Sequence, residues 1–443
     1  MVWLRSTSIF VCWLAAFALE TGGTDPGLSQ TTTARKPGSV PPGPSTLPDT
    51  RPTSRRAPRA PLPSRPPGPV VTKLDIPADF PRPYAIWGAF GTDAAGNVWF
   101  GVSAHDVRHP SAHLFELDGR TGKIADRGHV LDQLGRAEAR GDGEWQMKIH
   151  TRIIQGEDGW LYFASMDENG EDQAREKQPT WGSHLWRIKP GREGWEHVAA
   201  TKETLIAAGG GGRWIYAMGY FGHVLVQYDV RTGKTRSVKV GSFGGHVSRN
   251  FLTDSRGHAY VPRLARDEKT GRAAASLVEF DTDLKEVAST PLEHYLTGSP
   301  SGTHGITAFC PLEGGTVAFI TGPGRLYLLR PAADGSAKVE DLGWIHPRGE
   351  SYTASLFTDN GKRLLALSRK DGRYDWLEYD LTARAPKDYA FEVSQPKPAS
   401  LDDAQLYGSV TRDSAGNFYV GGADGPSSKT YVPILLKISP RSP

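Results

Sequence analysis

Seven times along the chain an apolar run meets an aromatic or aliphatic strand through a glycine-bearing turn: "GTDAAGNVWFGVS", "GEDGWLYFAS", "GGGRWIYAMG", "TDSRGHAYVPR", "LEGGTVAFITG", "TDNGKRLLALS" and "RDSAGNFYVGG". Two such runs across a short Asp, Asn or Gly turn make a β-hairpin, since few other residues close so tight a loop. Most copies are followed by a third strand and another turn, as in "HLFELDGRTG", "HLWRIKPGREG" and "VLVQYDVRTG". A four-stranded unit returning about every 40 to 65 residues is a repeat architecture, and the pattern predicts an all-β, seven-bladed β-propeller. The 51 glycines and 33 prolines fit many short strands and disfavour long helices.

The seventh copy offers three strands, "LYGSV", "NFYVGG" and "YVPILLKI", and the sequence stops at Pro443 before a fourth. An unassigned strand-like run, "VVTKLDI" (Val70 to Ile76), is expected to supply the missing outer strand and close the ring. Residues 70–443 are therefore expected to form the propeller.

The first twenty residues pair Arg5 with an apolar stretch from Ile9 to Leu19 and small residues at Ala16 and Ala18. That is a secretory signal pattern, too short for a membrane span, which predicts a secreted or extracytoplasmic protein with no span left after cleavage. Residues 21–69 are rich in Pro, Ser, Thr and Arg and lack aromatics. They cannot bury enough surface to offset the entropy of ordering and are expected to be a disordered tether. Signal cleavage would remove Cys12 and leave Cys310 alone in the apolar "GITAFCPL", where it is expected to act as a small buried hydrophobe rather than a nucleophile. Eight basic against three acidic residues stand before position 71, so the folded part carries about −2 of the chain's net +3. A general nucleic-acid surface is not supported. A monomer is expected.

In a propeller, equivalent positions of the innermost strands converge near the axis. His150 and His246 each stand eight residues before their turn aspartates, Asp158 and Asp254. The same count places His304, Gln405, Ala85, Thr204 and Ser351 in that slot in the other copies. Three imidazoles and a glutamine at one mouth suit a divalent metal, with His150, His246, His304 and Gln405 as ligands. The histidines could equally serve as metal-free acid and base, or each satisfy its own strand. No organic cofactor is expected. Nearby Lys148, Arg152, Arg249, Asn250 and Arg263 add donors suited to carboxylates, and Tyr220 is a candidate proton donor. The insertion "MDENGEDQAREKQPTWGSH" fits no EF-hand loop and is expected to be solvated.

The turn phrases resemble those of secreted propellers typified by NHL repeats, the SMP-30/gluconolactonase group and the virginiamycin B lyase type. The resemblance implies the fold across residues 70–443 and leaves the activity open, since propellers host many chemistries. In architecture and residue types the chain is also similar to the oligogalacturonate lyases, propellers with a His/Gln metal site. That similarity implies β-elimination on an acidic poly- or oligosaccharide, with His150, His246 and His304 holding the metal or supplying the base. Arg249 and Arg263 would grip the carboxylate and Tyr220 would act as acid. The alternatives are a metal-dependent hydrolase or lactonase, or a non-catalytic propeller that binds a protein or glycan.

Overall fold

The computed structural model describes residues 66–439 apart from 106, 173–176, 220–221, 245, 247, 297–303, 333–335, 360 and 408–410. The expected signal segment, nearly all of the tether and Tyr220 therefore lie outside the described residues.

Seven antiparallel sheets follow one another along the chain. Blade 1 comprises β2 (Phe90–Thr92), β3 (Val98–Val102), β4 (His113–Leu117) and β5 (Ile124–His129). In blade 2 the inner strand is split into β6 (Lys148–Ile149) and β7 (Ile154–Gln155), both pairing β8 (Leu161–Met166), with β9 (Ser183–Ile188) and β10 (Glu196–Thr201) outside. Blades 3 to 6 begin with β11 (Leu205–Gly211), β15 (Leu252–Thr253), β19 (Ile306–Pro311) and β23 (Tyr352–Thr358), each continuing through three more strands. Blade 7 takes β27 (Ala404–Tyr407), β28 (Phe418–Asp424) and β29 (Val432–Ser439) from the chain's end. Its outer strand is β1 (Val70–Leu74), registered from Val70 opposite Ser439 to Leu74 opposite Leu435. The expected closure is thus observed, and it removes the free edge that β29 would present to other chains.

Where the turn phrase carries an aspartate, one arrangement holds it. Asp93 accepts the backbone N–H groups of Ala95 and Asn97 with Oδ1, and the indole N–H of Trp99 with Oδ2 at 3.0 Å. Asp254 does the same with Arg256, His258 and the Tyr260 hydroxyl, and Asp413 with Asn417 and the Tyr419 hydroxyl. The aspartate therefore ties the turn to the aromatic residue that begins the next strand. Glycine completes it, as at Gly96, whose φ of +82° a side chain would make costly.

The core is partitioned between blades. Trp99, Leu114, Ile149, Phe163 and Trp186 join blades 1 and 2. Comparable clusters join each later neighbouring pair, and Phe90, Phe100, Tyr419 and Leu435 seal blade 7 to blade 1. Cys310 is buried among the apolar residues between blades 5 and 6, as expected. One helix, α1 (Val130–Arg136), was not legible in the sequence. The Ser111 hydroxyl accepts the Leu131 N–H at its start, and Val130 and Leu134 pack into the blade 1–2 cluster. No helix among the described residues is long and apolar enough to cross a membrane.

Candidate functional site

One small cavity is lined by every blade. Trp87 and Gly88 reach it from blade 1, His150 and Arg152 from blade 2, Ile206 from blade 3 and Arg249 and Asn250 from blade 4. Thr307, Tyr352 and Tyr407 complete it from blades 5, 6 and 7. A cavity that touches all seven sheets of a closed ring lies on the axis. Its volume is about 20 Å³, room for a single water-sized group.

The sequence placed the axial positions one to three residues too early. Trp87, Arg152, Ile206, Arg249, Thr307, Tyr352 and Tyr407 line the cavity, whereas the aligned slots held Ala85, His150, Thr204, His246, His304, Ser351 and Gln405. Counting from the turn assumes an unbroken strand. Register shifts interrupt the inner strands between Leu205 and Ala207, Ile306 and Ala308, and Thr353 and Ser355. In blade 2 the inner strand breaks altogether after Ile149, where the Thr151 hydroxyl accepts the Ala164 N–H in place of a ladder bond. That break leaves both His150 and Arg152 on the axis.

Electrostatics distinguish this cavity. Arg249 Nε and Nη1 and Trp87 Nε1 are buried without a hydrogen-bond acceptor among the described residues. Neither Arg152 nor Arg249 has a carboxylate within ion-pair distance among those residues, and their guanidinium groups lie instead over aromatic rings, Arg152 at 4.6 Å from Phe309 and Arg249 at 4.8 Å from Tyr407. Burial draws the Arg152 guanidinium down to about 10, so it stays charged at neutral pH. Two cations without a carboxylate partner and an indole N–H without an acceptor among the residues lining one small space suit an anion, since a buried charge without a counter-charge costs several kcal/mol.

His150 donates its Nδ1–H to the carbonyl of Ile206 at 2.8 Å, which leaves the proton off Nε2. Burial first, then Arg249 and Lys148, hold its pKa well below the ordinary range. His304 meets the same field. Its carbonyl accepts the Arg249 N–H at 2.9 Å, and desolvation at the crowded mouth, followed by Arg249, lowers it to about 4 although the residue keeps an exposed edge. Both rings are neutral at pH 7.

The other expected site residues are occupied elsewhere. His246 is buried, hydrogen-bonded through Nε2 to the Tyr295 hydroxyl at 2.8 Å and packed against His223. Gln405 binds the hydroxyls of Tyr431 and Tyr407. Arg263 forks onto Glu286 of its own blade at 2.8 and 2.9 Å, so it does not reach the axis. Asn250 donates to the carbonyls of Ile306 and Thr307 and braces the mouth. Lys148 lies over Trp87 and pairs with Glu168. The insertion in blade 2, expected to be solvated, therefore contacts the mouth, with Asp167 fully buried and accepting the N–H groups of Asn169 and Trp181.

His150, His246, His304 and Gln405 do not fit a shared metal ion. Among the described residues, His346, Asp375 and Asp388 alone bring three His, Cys, Asp or Glu donors within 4.8 Å of one another. There, His346 Nδ1 accepts the Arg348 N–H at 3.0 Å, so the ring's one proton sits on Nε2, facing Asp375 Oδ2 at 3.0 Å. Arg348 also donates to that oxygen. The cluster is a hydrogen-bonded clasp between blades rather than a metal centre. Larger grooves of about 520 and 510 Å³ lie along blades 6 and 7, away from the residues that converge on the axis.

No known protein family matches the chain, and no curated protein does. Solved structures are similar at low identity. YCF48 bound to a D1 peptide is 11% identical, with 86% of this chain and 100% of that one covered and a TM-score of 0.49. An ulvan lyase of polysaccharide lyase family PL25 is 11% identical over 85% and 95%, with a TM-score of 0.44. Hydrazine synthase of Kuenenia stuttgartiensis is 13% identical over 69% and 79%, with a TM-score of 0.43. None of these likenesses bears on what this chain does. The seven-bladed architecture stands on the chain's own sheets, and the resemblance to NHL-type and SMP-30-type propellers rests on the turn phrases.

Proposed function

We propose that this propeller recognises an acidic saccharide by seating one carboxylate at the axis, against Arg249 and Arg152, and that β-elimination is the reaction the surrounding groups support. The observation that carries the reading is the set of unpaired donors, Arg249 Nε and Nη1 and Trp87 Nε1, around one axial cavity. The recess is too small for a sugar ring, which would lie outside it against Trp87 and Tyr407.

Elimination needs the carboxylate neutralised, a base for the proton beside it and an acid for the leaving oxygen. Arg249 meets the first need. His150 Nε2 takes the proton from C5, the electron pair forms the C4–C5 double bond, and the C4–O bond breaks. The Tyr352 hydroxyl at the mouth protonates the departing oxygen and is reprotonated from His150 by way of solvent. A bound carboxylate also offsets the field of Arg249 that holds His150 down, so substrate binding strengthens the base. The test is to incubate the full chain with a panel of uronic-acid polymers and follow the absorbance of unsaturated products, alongside calorimetric binding of the same polymers. Binding and product formation, both lost in Arg249→Gln, support the reading. Binding without product leaves a non-catalytic acidic-glycan module, and absence of binding to every acidic polymer rejects the proposal.

A further inference from the structure

The N-terminal arm joins the ring beside blade 6, whose outermost strand is β26 (Ala385–Ala390). One side of β26 pairs with the strand before it, Arg373–Asp380. On the other side Ala390 donates its N–H to the Pro66 carbonyl at 3.1 Å, and Gly68 lies so close to the Ala390 carbonyl that a Cβ would stand 1.9 Å from its oxygen. An N–H given to Pro66 with Gly68 at the carbonyl is the parallel pattern, and it sets Ala390 opposite Pro67. Farther on, Thr72 and Gln395 form a parallel bridge, with Lys73 donating to the Gln395 carbonyl at 2.9 Å. Ala390 stands 323 residues beyond Pro67, as Gln395 does beyond Thr72. The two segments therefore run side by side in one direction at one offset.

We infer that residues 62–66 of the Pro-rich arm dock as a fifth strand of blade 6, parallel to β26, with Arg65 beside Asp388. The same offset carried upstream puts Arg65 opposite Asp388, and residues directly opposite in a sheet share a face. Asp388 brings a second carboxylate within 4.8 Å of donor atoms of Asp375 and His346, and a cation next to two carboxylates is favoured. The sequence "PLPSRPPGP" from Pro61 to Pro69 fits this edge. Backbone groups alternate sides along a strand, and the Ala390 contact assigns the even-numbered residues of the arm to pairing. Leu62, Ser64 and Gly68 keep an N–H for β26, and Pro66 alone forgoes one. Pro61, Pro63, Pro67 and Pro69 turn their missing N–H outward, where an edge strand tolerates proline and a further strand finds no donor. The arm thus leaves the ring from blade 6 rather than from Val70, and it covers an edge that a second chain could otherwise extend. The inference is independent of the axial site.

The experiment is hydrogen exchange of the full chain, followed by mass spectrometry on peptides that cover residues 60–68 and 385–392. In the wild type the Ser64 and Asp388 amides are expected to exchange about tenfold or more slowly than in Arg65→Glu, which sets like charges side by side. Arg65→Glu combined with Asp388→Arg is expected to restore the protection. Arg56→Glu, upstream of the docked segment, should leave it unchanged. Because Asp388→Arg could disturb the clasp with Asp375, Ser64→Pro gives a second readout. It deletes an N–H aimed at β26 and should speed exchange of the Asp388 amide to a similar degree. A wild-type Ser64 amide that exchanges at the rate of an unstructured peptide overturns the inference. Asp388 protection that survives both Arg65→Glu and Ser64→Pro also overturns it, and would mean that something else, such as a second copy of the chain, covers the edge.

Discussion

Replacing Arg249 by Gln should stabilise the fold in low-anion buffer while destroying ligand binding. The guanidinium is half-buried and has no carboxylate partner among the described residues, and two of its nitrogens are out of contact with solvent. Removing an uncompensated charge recovers a desolvation penalty of several kcal/mol at full burial, and partial exposure leaves about 2 kcal/mol for Arg249. Against that stands the loss of its contact with Tyr407 at 4.8 Å, worth about 0.5–1 kcal/mol. The net expectation is a gain of about 1 kcal/mol, read as a shift of the urea midpoint with unchanged slope. A loss of more than about 1 kcal/mol in low-anion buffer would show that the arginine is a structural brace, and the functional argument would fall with it.

Other outcomes separate site from scaffold. His246→Ala should cost about 1–3 kcal/mol by opening a cavity in the core and removing one of the Tyr295 hydroxyl's partners, yet leave acidic-ligand affinity unchanged by calorimetry, because His246 is buried away from the axial lining. Asp93→Ala should lose about 2–4 kcal/mol in urea unfolding, since one carboxylate serves two turn N–H groups and the Trp99 indole. Acid should destabilise the protein early. Burial foremost lowers His105 to about 3 and also lowers His223, so both are neutral in the fold. Their contribution is complete above pH 6.5 and is lost as pH falls, when the unfolded chain takes up protons the fold refuses. Stability measured from pH 7 to pH 5 should drop by up to about 1.4 kcal/mol per pH unit per group, and a flat profile would contradict the assignment. Deleting Val70–Leu74 should expose the whole of β29 and drive association visible by light scattering.

The fold was legible because its repeat is enforced by chemistry local to each turn. Asp93, Asp254 and Asp413 each bind the backbone N–H four residues on and an aromatic donor six residues on, and those offsets are written in the sequence. Blade closure by Val70–Leu74 was legible for the same reason, as a strand without a partner. The site was only half legible. His150, Arg152, Arg249 and Asn250 do meet on the axis, but a one-residue shift in a strand turns a side chain to the other face, and shifts such as that between Ile306 and Ala308 leave no mark in the sequence. His246 and Gln405, in blades whose inner strands show no such shift, face hydrogen-bond partners within their own surroundings, while Tyr352, Tyr407 and Trp87 take the axial places. Arg263 looked available because its partner Glu286 lies 23 residues onward in another strand, a pairing visible only in three dimensions.

The most direct test of the account is a titration of the His150 imidazole by NMR in the presence and absence of an acidic ligand. Its pKa is held down by burial and then by Arg249, so a carboxylate seated beside that arginine should raise it, with His246 unaffected. An unmoved His150, or a response confined to His246, would mean that no anion reaches the axis.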